Sequence, residues 1–460
     1  MEYNKSQSIS RAEVNFPEQN SARAYNKSSQ MSFDDIASDQ SSDAYSNSDL
    51  NTGPEQNAKQ NTIAAESIWV SMPNGEQLHM RHLIPHAFDS AINQTIPAIK
   101  NKRVFMLHGE VECGRIFYND SGKGLAYYFA EQGYEVFVAD LGGRGRSLTP
   151  DTEASTLSVY DIVNEAIPRM LKAINHCPNA YSSDINSSNL DKSAASIWVG
   201  HGFGAVLLSA AWARLNAAEQ SAQQMIFFGA RRQLQAKHRL ANAFVKTFCH
   251  PLTAKLVNWR NVFPATRMRL GSADENAQWF RVYSQWMNSS EWLDSEDGFD
   301  YRAALQNNPI PAALHFAAAA DTVFAETGDV RNFIEELGAH DARMIVLDTI
   351  NGSKRKYDHL SMLMDSAAID DVFAEAIDWL AIQDYQQQID MLANDAPLYR
   401  GADSLPSNSQ QVHSNTAIEC HSSSVSAYAA VEETNLEFSF KESDSDDVHA
   451  PSSDLTEAVA

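Results

Sequence analysis

The stretch Val199-Gly200-His201-Gly202-Phe203-Gly204 decides how this chain is read. An apolar run, Ile197-Trp198-Val199, enters it as a buried strand would, and the strongly apolar stretch from Phe203 to Leu215 leaves it at helical spacing. Glycines at alternate positions let the backbone turn sharply between the two, because glycine adopts positive φ without a Cβ penalty. The segment therefore reads as a tight strand-to-helix elbow, with Gly200 and Gly204 on its flanks, His201 before the tip and Gly202 at the tip. A Gly-x-Gly-x-Gly run also fits a dinucleotide-binding loop, but that loop follows the first strand of its unit and needs an acid about twenty residues on. Only Glu219, at a helix end, is available, and this turn comes late among the strands.

Working outward, Ser67 to Pro85 reads as two strands about a Pro73-Asn74-Gly75 turn. Arg103 to Leu107 is a short buried-strand run that stops at His108-Gly109. A helix is expected from Lys123 to Gln132, stopped by Gly133, and then a strand from Glu135 to Ala139. Tyr160 to Asn175 repeats apolar residues at helical spacing, with Pro168 inside it as a kink. Residues 177–195 are polar and are expected to be a flexible insertion, since structureless loops of that length are rare in compact domains. Met225 to Phe228, Ala313 to Ala317 and Met344 to Leu347 read as strands, and Ile369 to Leu380 as the closing helix. Residues 231–309 lapse into helical pattern, clearest at Leu240 to Trp259 and Asn276 to Trp286. The alternation implies an α/β fold: a mostly parallel, twisted sheet with helices on both faces and a helical lid insertion over the sheet's carboxyl edge.

Two further residues fall where an acyl-transfer site needs them. Asp321 follows the strand at 313–317, and His359 stands between the last strand and the last helix. Alone, each has an ordinary structural explanation: an aspartate caps, a histidine packs. In the order Gly202, Asp321, His359 they follow the order nucleophile, acid, histidine of hydrolytic sites built on such a sheet.

With these motifs in view, residues 65–384 resemble the α/β-hydrolase superfamily, near its bacterial lipase/esterase-like and serine-aminopeptidase-like branch. His108-Gly109 resembles the HG loop after the third strand. Gly124 to Ser147 (GLAYYFAEQGYEVFVADLGGRGRS) is similar to the helix, strand and D-x-R-G-x-G-x-S turn of that branch, and Trp198 to Gly204 matches W-x-G-H-S-x-G except at the serine. The resemblance implies Asp321 as the acid and His359 as the base. It also implies an oxyanion hole made by the backbone N–H groups of Glu110 and Phe203, with His108 and Gly109 shaping the loop. It implies carboxylic-ester or lipid hydrolysis, an apolar or acyl-containing small molecule as ligand, and neither cofactor nor metal. There are two departures. Gly142 stands where the family has an arginine, which bears on loop geometry. Gly202 stands where the nucleophilic serine belongs, which removes the chemistry itself.

Loss of the nucleophile costs a triad enzyme on the order of 10⁶ in turnover. Ser209 lies two helical turns beyond the elbow and out of reach, while Cys113 and Ser147 lie on neighbouring loops with nothing local to activate them. Three functions stay open. The chain is a pseudo-hydrolase that binds a ligand or partner under its lid, an enzyme in which His359 and Asp321 activate water in the space the serine left, or an interaction scaffold acting through its acidic flanks. In the lid, Trp259, Phe263, Trp279, Tyr283, Trp286 and Trp292 are either acyl-chain contacts or plain core. Arg267, Arg269 and Arg281 either face an anion in the cleft or lie in solvent.

Composition sets the frame. Residues 1–64 and 385–460 are dominated by Ser, Asn, Gln, Asp and Glu. Such segments bury too little apolar surface to offset roughly 1–2 kcal/mol of ordering entropy per residue, so both are expected to be disordered tails around one domain. The net charge is −24, with ten acids against five bases in residues 1–66 and thirteen against two in residues 385–460. No basic face suited to phosphates is read, which speaks against nucleic acid. Cys113, Cys177, Cys249 and Cys420 have neither metal-ligand nor redox-pair spacing. The N-terminus has no apolar signal region and no stretch reaches the roughly 18 apolar residues of a membrane span, so the expectation is a cytoplasmic protein without an integral membrane segment.

Overall fold

The computed structural model describes residues 63–85, 102–147, 155–177, 194–235 and 250–395. Most of the two tails, the insertion at 178–193 and the first half of the helix expected from Leu240 lie outside the described residues. The strands are β1 (Ile63–Ser71), β2 (Gln77–Pro85), β3 (Arg103–Leu107), β4 (Glu135–Ala139), β5 (Ala195–His201), β6 (Gln224–Phe228), β7 (Val262–Phe263), β8 (Glu275–Asn276), β9 (Ala312–Ala318) and β10 (Ala342–Leu347). Eight of them form one sheet in the order β1-β2-β4-β3-β5-β6-β9-β10, while β7 and β8 make a small antiparallel ribbon in the lid. β2 is antiparallel to both its neighbours and the remaining pairings are parallel, so the sheet is mostly parallel, as its near-continuous apolar strands predict.

The helices are α1 (Leu125–Glu131), α2 (Ile167–His176), α3 (Phe203–Arg214), α4 (Pro251–Arg260), α5 (Ala277–Asn288), α6 (Tyr301–Asn307), α7 (Thr327–Glu336), α8 (Ser361–Met364) and α9 (Ala374–Asp395). Strand residues alternate between two cores. Phe105 and Leu107 face one with Trp198 and Phe227, whereas Val104 and Met106 face the other with Val138 and Ile226. The first core continues into the lid through Phe203, Trp279 and Trp286, and the second is covered by α1 and α9. α3 is buried almost all round, because it is wedged between the sheet and the lid.

Two sequence expectations need correction, and a third is located. β1 begins at Ile63, inside the stretch assigned to the N-terminal tail. α9 runs on to Asp395, past the expected boundary at 384: no Gly or Pro interrupts it, and its Gln-rich second half is polar but a good helix former. Pro168, expected as a kink, lies at the start of α2. A helical turn at Val159–Asp161 passes through a wide π-turn, Ile162–Ala166, into α2, a register change beside the residue that lacks an N–H.

Candidate active site

The elbow is built as the sequence implies. β5 ends at His201, α3 starts at Phe203, and Gly202 between them has φ 50° and ψ −123°, a conformation strained for any L side chain. Its N–H donates to the carbonyl of Phe228 at 2.9 Å. Gly204 permits a close approach: a Cβ there would stand 2.4 Å from the carbonyl oxygen of His108, so α3 packs directly on the end of β3.

Asp321 and His359, expected as acid and base, meet. His359 Nδ1 lies 2.8 Å from Asp321 Oδ2. Asp321 also accepts from the backbone N–H groups of Phe324 at 2.8 Å and Ala325 at 2.9 Å. Burial opposes its ionisation, yet His359 and these N–H groups hold the carboxyl below its usual range. Phe324 stacks on the His359 ring, and His201 lies on another side of it, its Nε2 donating to the His359 carbonyl at 3.1 Å. Burial, then the charge on His359, pushes His201 down to about 3, so it is neutral. His108 is neutral too, lowered to about 4 by burial and by Arg144. It ties the β3 loop to the β4 loop, bonding Gly109 and Leu141.

Glu110 carries the largest surprise. The sequence reading used only its N–H, but the side chain turns back into the site. Its Oε2 accepts from the Phe203 N–H at 2.8 Å, and its own N–H also stabilises the carboxylate. Both expected oxyanion donors are thus directed at a carboxylate belonging to the protein. Oε1 accepts from the Tyr283 hydroxyl at 2.9 Å and faces Arg231 at 3.4 Å. Burial disfavours the charge, but Arg231, His359 and the two N–H groups outweigh it and hold Glu110 at about 2. A Cβ on Gly202 would stand 2.7 Å from Oε2 and 3.3 Å from His359 Nε2. Glycine at the elbow and the Glu110 carboxylate at the Phe203 N–H are therefore sterically linked. Burial opposes protonation of His359, but Asp321 and then Glu110 raise it above its usual range. In the cluster acidic and basic side chains alternate: Asp321, His359, Glu110, Arg231.

The three candidates for a substitute nucleophile are otherwise engaged or un-ionised. The Ser209 hydroxyl donates to the Ala205 carbonyl within α3, and Ser147 Oγ is spent between the Asp140 carbonyl and the His79 N–H. Burial raises the Cys113 thiol to about 11, which leaves it un-ionised. A second hydrogen-bonded chain in Ser–His–Asp order does occur on the edge hairpin: Ser67 Oγ to His79 Nε2 and His79 Nδ1 to Asp140 Oδ2, each 3.0 Å. Asp140 also binds the N–H groups of Gly114 and Arg146, which makes this chain a tie between the hairpin and the turn after β4.

The lid aromatics divide. Phe263, Trp279, Tyr283, Trp286 and Trp292 are buried, and Phe203 contacts Trp279, Tyr283 and Trp286 with ring centroids 4.9 to 5.8 Å apart. They are core, while Trp259 is exposed. Arg267, Arg269 and Arg281 are exposed as well. The space under the lid beside Glu110, bounded by Phe263, Trp279, Tyr283 and Phe324, is about 10 Å³, room for one water; an acyl chain does not fit there in this conformation. A larger cleft of about 760 Å³ lies beside it, lined by Arg81, Glu112, Cys113, Arg144, Glu275 and Met364. In it burial pushes Glu112 up to about 7, against a hydrogen bond from Ser272. Among the described residues no cluster of metal-ligating side chains occurs and no helix is long and apolar enough to cross a membrane.

No family model matches the chain, and neither does any curated protein. Solved structures similar to it include an esterase from Pyrococcus furiosus, at 10% identity and TM-score 0.42 over 73% of this chain and 96% of that one. An α/β hydrolase from Penicillium is 12% identical, with TM-score 0.46 over 70% and 99%. A naproxen esterase from Bacillus subtilis is 12% identical, with TM-score 0.37 over 69% and 92%. By its own strand order, and by the stations of elbow, acid and histidine on it, the chain has the α/β-hydrolase fold.

Proposed function

We propose that this protein is a hydrolase-fold protein that has given up acyl transfer, its catalytic centre converted into a closed, internally neutralised ion cluster. The observation that carries this reading is Glu110 Oε2, 2.8 Å from the Phe203 N–H and 2.7 Å from where a side chain at position 202 would begin. A hydrolase needs the oxyanion hole empty and preorganised for the charge that develops on the substrate; here a permanent negative charge fills it. It also needs a neutral histidine as base, whereas the carboxylates of Asp321 and Glu110 both favour the imidazolium of His359. That charge balance argues against the water-activating alternative. What remains is a folded body with a polar cleft, suited to binding rather than turnover.

The test is labelling with a fluorophosphonate together with short-chain p-nitrophenyl ester hydrolysis by the full chain. We expect no covalent adduct and hydrolysis no faster than by His359→Ala. An adduct, or esterase turnover abolished by His359→Ala, overturns the reading. An adduct lost in Ser67→Ala would overturn it by moving the chemistry to the edge hairpin.

A further inference from the structure

The charge of the chain is uneven in a second place. From Arg231 to Ala273 the sequence holds nine Lys or Arg residues and no Asp or Glu, in a protein of net charge −24. That leaves −33 for the rest. Arg231 and Arg232 are spent inside the domain on Glu110 and Glu336. Lys255, Arg260, Arg267 and Arg269 are exposed, and Lys255, Arg260 and Arg267 form no ion pair among the described residues.

The same segment exposes apolar side chains. α4 carries Leu252, Leu256 and Trp259 at positions i, i+4 and i+7, one face of the helix. Leu252 is 67% exposed and Trp259 79%, while Val257 on another side is buried against the body. Met268, just beyond β7, is half exposed. Long apolar side chains interleaved with unneutralised cations suit the boundary between lipid headgroups and acyl chains, where the cations meet phosphate and the apolar tips leave water. A nucleic acid would use the cations and leave the leucines idle.

We propose that this lid face docks peripherally on an anionic lipid bilayer, with Leu252, Leu256 and Trp259 entering the headgroup layer and Lys255, Arg260 and Arg267 pairing with anionic headgroups. Charge complementarity selects the occupant. Lys255 and Arg260 flank the exposed Leu252, Leu256 and Trp259 on α4, so cations and apolar tips present themselves together to an anionic surface. The proposal does not depend on the state of the elbow.

The test is co-sedimentation of the full chain with vesicles of phosphatidylcholine alone and with vesicles containing roughly a third phosphatidylserine. Binding is expected to the anionic vesicles only, with release at high salt. Lys255→Gln/Arg260→Gln/Arg267→Gln should weaken partitioning about a hundredfold, from roughly fivefold per charge. Trp259→Ser should weaken it several-fold, and neither variant should change thermal unfolding, because these side chains are exposed. Absence of binding, or equal binding to both vesicles, overturns the proposal. So does a Trp259→Ser variant that binds as wild type while the charge variant loses duplex DNA in parallel, since that assigns the face to nucleic acid.

Discussion

The link between Gly202 and Glu110 gives a prediction that restoring the serine alone does not restore a serine hydrolase. In Gly202→Ser the new Cβ arrives 2.7 Å from Glu110 Oε2, closer than atoms tolerate, and the backbone at φ 50° adds strain of about 1–3 kcal/mol. Glu110 cannot simply swing aside, since Arg231, Tyr283 and the Phe203 N–H hold it. The serine would also face an oxyanion hole already occupied by charge. Losing one such donor costs roughly 10²–10³ in turnover, and here both are engaged. Glu110→Ala alone empties the hole but supplies no nucleophile. The double variant Gly202→Ser/Glu110→Ala supplies both, with His359 2.8 Å from Asp321 and now free of one carboxylate. We expect it to react with a fluorophosphonate at least 10²-fold faster than Gly202→Ser, while Glu110→Ala and wild type give no adduct. The two changes should be strongly non-additive, as groups that share one site are. The assay is the rate of gel-detected labelling at equal folded concentration, checked by thermal melts because each variant disturbs the core. If Gly202→Ser labels as fast as the double variant, Glu110 does not occupy the hole in solution and the reasoning fails.

Other outcomes follow from the buried charges and the helix boundary. Glu112 titrates at about 7 in the fold against an ordinary 4.5, so its contribution is fully present below pH 4.5 and is lost as pH rises through about 7. Thermal stability should fall between pH 5 and 8, and Glu112→Gln should recover up to roughly 3 kcal/mol of it at pH 8; a variant that melts with the wild-type pH profile would refute this. Asp321→Asn turns an NH₂ either toward His359 and the Ala325 N–H, which share Oδ2, or toward the Phe324 N–H on Oδ1, and should cost about 2–3 kcal/mol. His359 is raised in the fold, so its share of stability is present below its ordinary 6.5 and lost as pH rises through the folded value. The gap between wild type and Asp321→Asn should therefore narrow at high pH, with the His359 titration seen by NMR moving down. Ending the chain at Gln386 should shift stability by less than about 1 kcal/mol, because Met391 and Leu392 are 61% and 72% exposed; a larger loss in a denaturant melt would mean that this end of α9 bears on the body.

The parts of the fold that were legible in the sequence are those governed by local pattern. Buried strands such as Arg103–Leu107 and Glu135–Ala139 appear as apolar runs because the sheet is covered on both faces, and the Pro73-Asn74-Gly75 turn marks the hairpin. The elbow, Asp321 and His359 were legible because their order along the chain mirrors the order of the strands that carry them. Boundaries set by composition fared worse. Gln386-Gln387-Gln388 reads as polar tail, yet nothing there breaks a helix and α9 continues through it. The lid's basic stretch was hidden by a whole-chain charge of −24, an average dominated by the acidic flanks.

Glu110 was the residue that pattern could not reach, and the reason is physical. A backbone N–H can be assigned a role from position alone, since the chain path sets where it points, whereas a side chain's role depends on what the third dimension brings to it. Arg231 comes from the loop after β6, Tyr283 from α5 and Phe203 from the start of α3; their approach turns a loop glutamate into the counter-charge of the site. One signal was available beforehand: an acid at the residue after His108-Gly109, where its carboxylate lies one side chain from the hole, in the same sequence that lacks the serine. A serine side chain and this carboxylate occupy overlapping space, and a carboxylate in an oxyanion hole is useful to no acyl transfer. Each substitution therefore removes the other's cost. Without a side chain at position 202 the Glu110 carboxylate has room, and with Glu110 ionised the buried Arg231 gains a partner and the His359 imidazolium is favoured, which a hydroxyl could not have supplied. Gly202 and Glu110 are on this argument one paired feature, and the contacts of Glu110 with Arg231 and the Phe203 N–H stand beside the 2.8 Å pair of Asp321 and His359.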